Sequence, residues 1–100
     1  MSTSTLSISE KQSQRTAFEQ ELNSFLAEVK AAMMVCFEAN PNASNDPYVM
    51  LGRLEKETFE VKQAISERHP SKLKSEMFDV VVQCAYGIIQ CKNVRATDLI

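Results

Sequence analysis

The sequence predicts one all-α domain with three main helices and a short C-terminal helix, a helical bundle that is completed by oligomerisation. Three observations predict this fold class. Only two glycines and three prolines occur in 100 residues, too few for the many turns of a β-sandwich or for a glycine-rich phosphate loop. Apolar residues recur at three- and four-residue steps over long segments. No segment alternates apolar and polar residues for long enough to indicate a strand.

Charge and hydropathy indicate which partners to expect. The net charge of −2 provides no basic surface of the kind that binds nucleic acid. No apolar run approaches the roughly 20 residues that cross a bilayer, and the Ser/Thr-rich start is unlike a secretory signal. No Cys-x-x-Cys pair occurs among the three cysteines, so we expect them to be small buried apolar residues. The sequence therefore predicts a reduced cytoplasmic protein without nucleic-acid or membrane partners.

The first helix is predicted over residues 8–39, which contain no glycine or proline. Residues 1–6 are expected to form a flexible N-terminus, and the single domain is expected to cover residues 7–100. Ser7 and Glu10 have the spacing of a capping box at the start of a helix. The apolar positions of this helix follow a helical stripe: Phe18, Leu22, Phe25, Leu26, Val29, Met33, Cys36 and Phe37.

The second helix is predicted over residues 47 to about 68. Residues 40–47 are rich in turn-forming asparagine and proline, and Asp46 followed by Pro47 is typical of an N-cap and a first helical position. The helix ends before Pro70, because the residue before a proline is disfavoured in helical conformation. Its apolar stripe is Met50, Leu51, Leu54, Val61, Ala64 and Ile65.

The third helix is predicted over residues 72 to about 91, with Ser71 as its cap, and residues 95–100 are expected to form the short fourth helix. His69 is expected to cap the C-terminal end of the second helix or to lie on the surface.

The third helix is apolar around most of its circumference, and this apolar surface is larger than two shorter helices can cover. The first helix would be roughly 45 Å long and would overhang a compact monomer, whose radius of gyration is about 13 Å. Both features predict self-association.

Four acidic residues of the second and third helices lie in unusual positions. On a helical wheel Glu57 falls inside the apolar stripe of the second helix and Glu60 on its edge, where an ionised carboxylate is unfavourable unless it is paired or binds a metal. Glu76 and Asp79 share a narrow polar strip of the third helix that contains no Lys or Arg. Each pair is spaced three apart and projects from one helix face. Side by side, the helices would direct four carboxylates at one Mg²⁺; the alternative is two ordinary solvated faces.

The sequence around these acids resembles the MazG-like all-α nucleoside triphosphate pyrophosphohydrolases. That family carries Glu-Glu-x-x-Glu on one helix and Glu-x-x-Asp on the next. The corresponding segments here are Leu54-Glu55-Lys56-Glu57-Thr58-Phe59-Glu60-Val61 and Glu76-Met77-Phe78-Asp79-Val80-Val81. The resemblance covers about residues 47–100, whereas the long first helix agrees only in type.

The resemblance implies a function and a set of site residues. Glu57, Glu60, Glu76 and Asp79 match acids that are catalytic and that bind Mg²⁺ in the family, and Mn²⁺ is a possible substitute. Such an enzyme cleaves a nucleoside or deoxynucleoside triphosphate between the α- and β-phosphates, releasing the monophosphate and pyrophosphate. Family members form homodimers or homotetramers.

The chain departs from the family pattern at two points. Lys56 stands where the family has its first acid, which removes one ligand or base. The basic motif that many relatives carry on a later helix is not matched, so phosphate contacts must come from elsewhere. The basic candidates are Arg53, Lys56, Lys72, Lys74, Lys92 and Arg95. Lys56 and Lys74 are the candidates we select for substrate binding, with Tyr86 as the base-stacking residue, although each basic residue also suits a solvated surface.

A second function class remains open from the sequence. A non-catalytic helical interaction or scaffold module, or a family member that has lost its activity, would have the same helices and the same acids. No Ser/His/Asp or Cys/His nucleophile set is visible, since the chain has only one histidine.

Overall fold

The computed structural model describes residues 5–39 and 46–99. The elements in chain order are α1 (Ile8–Ala39), α2 (Pro47–Ser66), α3 (Pro70–Gln90) and two short 3₁₀ helices, Cys91–Asn93 and Ala96–Leu99. Within these two ranges there is no strand, which confirms the all-α class and the three main helices. The short C-terminal helix is a 3₁₀ helix and not an α-helix. The predicted flexible N-terminus and the loop before α2 fall largely outside the described residues.

The starts of α1 and α2 are those predicted from their cap residues. The Glu10 N–H donates to Ser7 Oγ at 3.2 Å, and the Tyr48 N–H donates to the Asp46 carboxylate at 2.8 Å. Pro47 occupies the first turn of α2. Each cap provides an acceptor for a backbone N–H that has no partner inside the helix. Both helix starts are therefore confirmed.

A three-residue connection joins α2 to α3. The connection contains Arg68, whose φ of 54° lies in the left-handed region, where a residue other than glycine is uncommon. This conformation reverses the chain direction within a few residues. As a result α2 and α3 run antiparallel and side by side.

The N-cap of α3 is His69 and not the predicted Ser71. The Lys72 N–H donates to His69 Nδ1 at 3.1 Å, and α3 begins at Pro70, two residues earlier than predicted. The reason is that a proline suits the first helical position, where its missing N–H is not needed. The His69 side chain thus caps the start of α3 and not the end of α2, and it is exposed, as the surface alternative predicted.

Each helix contributes one buried apolar residue among those described: Val29 of α1, Ala64 of α2 and Val82 of α3. Between α2 and α3 the helices approach closely at both ends. Ala64 is 1% exposed near the connection. At the far end, a Cβ added to Gly87 would lie 3.6 Å from Met50 Sδ. The packing of α2 on α3 is therefore continuous along the pair, and α1 lies against α3.

Many predicted core residues are exposed in the single chain. Cys36, Cys84 and Cys91 are all exposed, so the prediction that they are buried is wrong here. Leu51 and Ile65 belong to the apolar stripe of α2 but are also exposed. The reason is that, among the described elements, α1 and α2 each pack mainly on α3, and α3 is contacted by these two helices and by the short 3₁₀ helix after it. The other apolar faces of the three helices have no covering helix. None of the helices in the described ranges is both long and apolar enough to span a bilayer.

Ala64→Leu is expected to lower the free energy of unfolding by about 1–3 kcal/mol, because three added heavy atoms must fit into a closed helix contact. Urea denaturation followed by circular dichroism measures the change. The matched control is Gln63→Leu at the exposed neighbouring position, where we expect a change within about 0.5 kcal/mol. An equal midpoint for the Ala64 variant and the wild type would contradict the close packing of α2 on α3.

Candidate metal centre

The short connection between α2 and α3 sets which residues lie opposite each other. In an antiparallel helix pair, residues at equal distances from the connection are at the same level. Glu57 and Asp79 are each eleven residues from Arg68, and Glu60 and Glu76 are each eight residues from it. The two acidic pairs therefore face each other across the seam between α2 and α3.

The four predicted acids lie together at this seam. One carboxylate oxygen from each of Glu57, Glu76 and Asp79 lies within 4.8 Å of the other two. The Glu60 carboxyl is within hydrogen-bonding reach of both Glu57 and Glu76. Glu57, Glu60 and Glu76 are half-buried, and Asp79 is exposed. The arrangement is a carboxylate cluster on two helices that opens to solvent on the Asp79 side.

Partial burial and mutual repulsion change the proton affinity of two members of the cluster. The pKa of Glu57 is raised, first by its partial removal from water and then by the charges of Glu60 and Asp79, while Lys56 opposes the rise. The pKa of Glu76 is raised mainly by its hydrogen bond with Glu60, and further by partial burial and the neighbouring acids. Both carboxyl groups therefore bind a proton more tightly than they do in water.

Two oxygens of the cluster have no partner within the described part of the chain. Glu57 Oε2 and Glu76 Oε2 are buried and accept no hydrogen bond. Neither of the two ion pairs found in this part, Lys72 with Glu67 and Arg95 with Asp98, includes a carboxylate of the cluster. A buried carboxylate oxygen without a partner is unfavourable, and a bound cation would satisfy it. Exposed acidic groups are common without an ion, but here two of the three converging side chains are half-buried.

The donor set fits a hard divalent cation. All the converging atoms are carboxylate oxygens from Glu57, Glu76 and Asp79, with Glu60 beside them. Mg²⁺ prefers oxygen ligands and commonly takes only a few protein carboxylates, completing its shell with water or phosphate oxygens. Mn²⁺ suits the same ligands. Among the described residues, this converging set includes no cysteine sulfur or histidine nitrogen, the ligands that favour zinc.

The predicted substrate-binding residues are in three different places. Lys56 is near enough to Glu57 to lower its pKa. Tyr86 is half-buried on α3, seven residues beyond Asp79 and so two turns along the same helix face. Lys74 lies instead in a groove between α1 and α3, with Phe25 and Glu28, on another face from the acids.

Lys72 is a basic residue that the selected substrate-binding set missed. Its pKa is raised mainly by the hydrogen bond with Glu67 and also by the charges of Glu76 and Glu60, so it lies within electrostatic range of the cluster. The signal in the sequence was its position four residues before Glu76, which places both on one helix face.

Comparison with known proteins adds no family to this geometry. No protein-family model, no curated protein and no solved structure matches the chain. The residues of the cluster and the spacing of the two acidic motifs are therefore the features that indicate a function.

The stability of the metal-free protein is expected to rise as the pH falls from neutrality towards the ordinary pKa of a glutamate. Glu57 and Glu76 have pKa values raised above the ordinary value of 4.5, so the folded state binds their protons more tightly than the unfolded chain does. Their stabilising contribution is fully present below the unfolded pKa and is lost as the pH rises through the folded pKa. Thermal unfolding in chelator over this range measures the effect.

The control for the pH experiment is a pair of variants on α2. Glu57→Gln removes one of the raised groups and should reduce the slope, whereas Glu55→Gln changes an exposed carboxyl and should retain it. A slope that is the same in both variants would contradict the assignment to the cluster.

Proposed function

We propose that the protein is a Mg²⁺-dependent nucleoside triphosphate pyrophosphohydrolase. It converts a nucleoside or deoxynucleoside triphosphate and water to the monophosphate and pyrophosphate. The observation that carries the proposal is the convergence of three carboxylate oxygens within 4.8 Å, where Glu57 and Glu76 each keep a buried oxygen without a partner. The resemblance to the MazG-like enzymes supports it, because the same residues match the acidic motifs of that family.

The chemistry follows from the cluster. Glu57, Glu60, Glu76 and Asp79 would hold Mg²⁺ or Mn²⁺, which when bound neutralises the charge of the phosphate oxygens and orients them. A carboxylate of the cluster accepts a proton from the attacking water. The water oxygen forms a bond with the α-phosphorus, the bond from that phosphorus to the α,β-bridging oxygen breaks, and pyrophosphate leaves with the electron pair.

The remaining substrate contacts are assigned by position. Lys56 and Lys72 are within electrostatic range of the cluster, so they are the side chains that we propose contact the phosphates. Tyr86 is the candidate for stacking on the base, on the same face of α3 as Asp79. Lys74 is not included, because it lies in the groove beside α1.

The proposal also includes the assembly and the compartment. The working form is a homodimer or a homotetramer, which is supported by the large apolar side chains that a single chain leaves exposed. Three free cysteines are consistent with a reducing compartment, and we propose the cytoplasm.

The decisive experiment is a panel of the common ribonucleoside and deoxyribonucleoside triphosphates, each incubated with the purified protein and Mg²⁺. We expect at least one to yield its monophosphate and pyrophosphate in equal amounts, and chelator to stop the reaction. Pyrophosphate and inorganic phosphate are measured separately. Release of inorganic phosphate alone, or no product from any nucleotide with Mg²⁺ or Mn²⁺, would overturn the proposal.

A second candidate function is a non-catalytic helical interaction module. The observation that favours it is Lys56 at the position of the first acid of the family motif, together with the exposed apolar surface. The two candidates differ in one result: the interaction module would bind the cation, as a rise in melting temperature shows, without turning over any nucleotide.

A further inference from the structure

The single chain exposes far more surface than a compact protein of its mass. A compact monomer of 11.3 kDa has an accessible surface of about 5,700 Å², whereas this chain exposes 8194 Å². Its radius of gyration is 18.1 Å, against about 13 Å for a compact domain of this length. The excess surface is about 2,500 Å², more than the roughly 800 Å² that each partner buries in a standard interface. An excess of this size matches a large, obligate interface.

The N-terminal half of α1 is exposed throughout. The helix has 32 residues, against 21 in α3. It contacts α3 through the ring of Phe25, which meets that of Phe78, and its buried residue is Val29, 8% exposed. All residues from 8 to 28 are exposed. The apolar stripe nevertheless continues into this half, with Phe18 65% and Leu22 40% exposed. A stripe of this kind on a free helix end indicates a missing partner.

A matching apolar groove lies between α1 and α3. Its volume is about 620 Å³, and its apolar lining includes Phe25, Leu73, Met77, Phe78 and Val81. The rings of Phe25 and Phe78 meet edge to face, with their centroids 6.0 Å apart. The groove faces away from the acids of α3, so it is separate from the candidate metal centre.

We propose that the groove between α1 and α3 receives the N-terminal half of α1 from a second copy of this chain. In a two-fold arrangement each chain contributes one groove and one helix end. The helix end of each chain then covers the groove of the other. The side chains of Phe18 and Leu22 enter the partner's groove. The proposal locates the interface of the proposed homo-oligomer and does not depend on its chemistry.

The charges beside the two surfaces are compatible with this pairing. The groove has one acid and one base in its lining, Glu28 and Lys74. The exposed half of α1 carries Arg15 and Glu21 on either side of Phe18 along the wheel. Opposite charges are therefore available on both sides of the stripe, which would set the orientation of the helix in the groove.

The first test measures the mass of the full chain in solution by light scattering or sedimentation. We expect a dimer, or a tetramer built from it, at micromolar concentration. Phe18→Glu and Met77→Glu should each weaken the association by at least about 30-fold, and Ser13→Glu, on the opposite face of α1, should not. Since Phe18 is 65% exposed, its replacement should leave the helical circular dichroism of the chain unchanged. The proposal would be overturned by a monomeric wild type, whether or not another molecule occupies the groove. It would also be overturned by a dimer whose association neither substitution weakens.

The second test examines proximity directly. Two variants are made, and in both the three native cysteines are replaced by serine. One carries Phe18→Cys, and the other, which is tagged, carries Met77→Cys. Mixing and oxidation should produce a covalent dimer with one copy of each, and a failure to form it would overturn the proposed pairing. A chain that dimerises in this way but hydrolyses no nucleotide would refute the proposed function alone.

Discussion

Glu57→Gln is expected to lower kcat/KM for pyrophosphate release by about 10²–10⁴-fold, the range for removal of an essential acid or base. The amide keeps the size of the side chain but removes the negative charge that would bind the cation or accept a proton. Asp79→Asn, across the seam on α3, should have a similar effect. Steady-state kinetics on the best nucleotide of the panel measure the change.

The control for these variants is Glu55→Gln on the same helix. Glu55 is exposed and is not part of the carboxylate cluster, so its variant should retain full activity. Glu57→Gln also removes one of several mutually repelling groups, and the metal-free variant should therefore be at least as stable as the wild type. Activity that persists in the Glu57 and Asp79 variants would place the chemistry outside the cluster.

Divalent cations are expected to stabilise the folded protein strongly. At a Mg²⁺ concentration 100-fold above its dissociation constant, binding to the folded state alone adds about 2.7 kcal/mol. For a chain of this length this corresponds to a rise in melting temperature of roughly 10–20 °C. The physical reason is that the cation replaces the repulsion within the cluster by attraction and satisfies Glu57 Oε2 and Glu76 Oε2. Thermal unfolding with Mg²⁺ and with Mn²⁺ measures the shift.

Two controls separate binding from general screening of charge. Sodium chloride at matched ionic strength should reproduce only a small part of the shift, because screening acts on all exposed charges. Glu76→Gln should lose most of the shift, whereas Glu55→Gln should keep it. Equal shifts in these two variants would mean that the cation binds elsewhere or not at a defined site.

The ends of the helices could be predicted closely where the cap residue and its partner are neighbours in the sequence. Ser7 and Asp46 cap their helices as expected, because the bond that each makes closes within three residues. The predicted start of α3 is two residues late, because the prediction takes Ser71 as the cap, whereas His69 is the cap in the structure. A histidine nitrogen accepts the same N–H when a proline follows it, a possibility that cap preferences alone rank low.

The grouping of the acids was also within reach of the sequence. The spacing of three within each pair directs both members to one helix face, and the three-residue connection places Glu57 opposite Asp79 and Glu60 opposite Glu76. The helical wheel did not predict where the basic residues lie relative to the acids. Lys74 and Lys72 are two residues apart on α3, yet one lies in the groove beside α1 and the other near the acids.

The sequence by itself determined the helices, their order and the faces that carry apolar or acidic side chains, because these depend on contacts between near neighbours in the chain. Only the tertiary structure decided which of those faces are covered. Ala64 and Ile65 belong to one predicted stripe, yet Ala64 is 1% and Ile65 59% exposed. A helical wheel gives the direction of a side chain but not the presence of a second helix in that direction, and burial requires both.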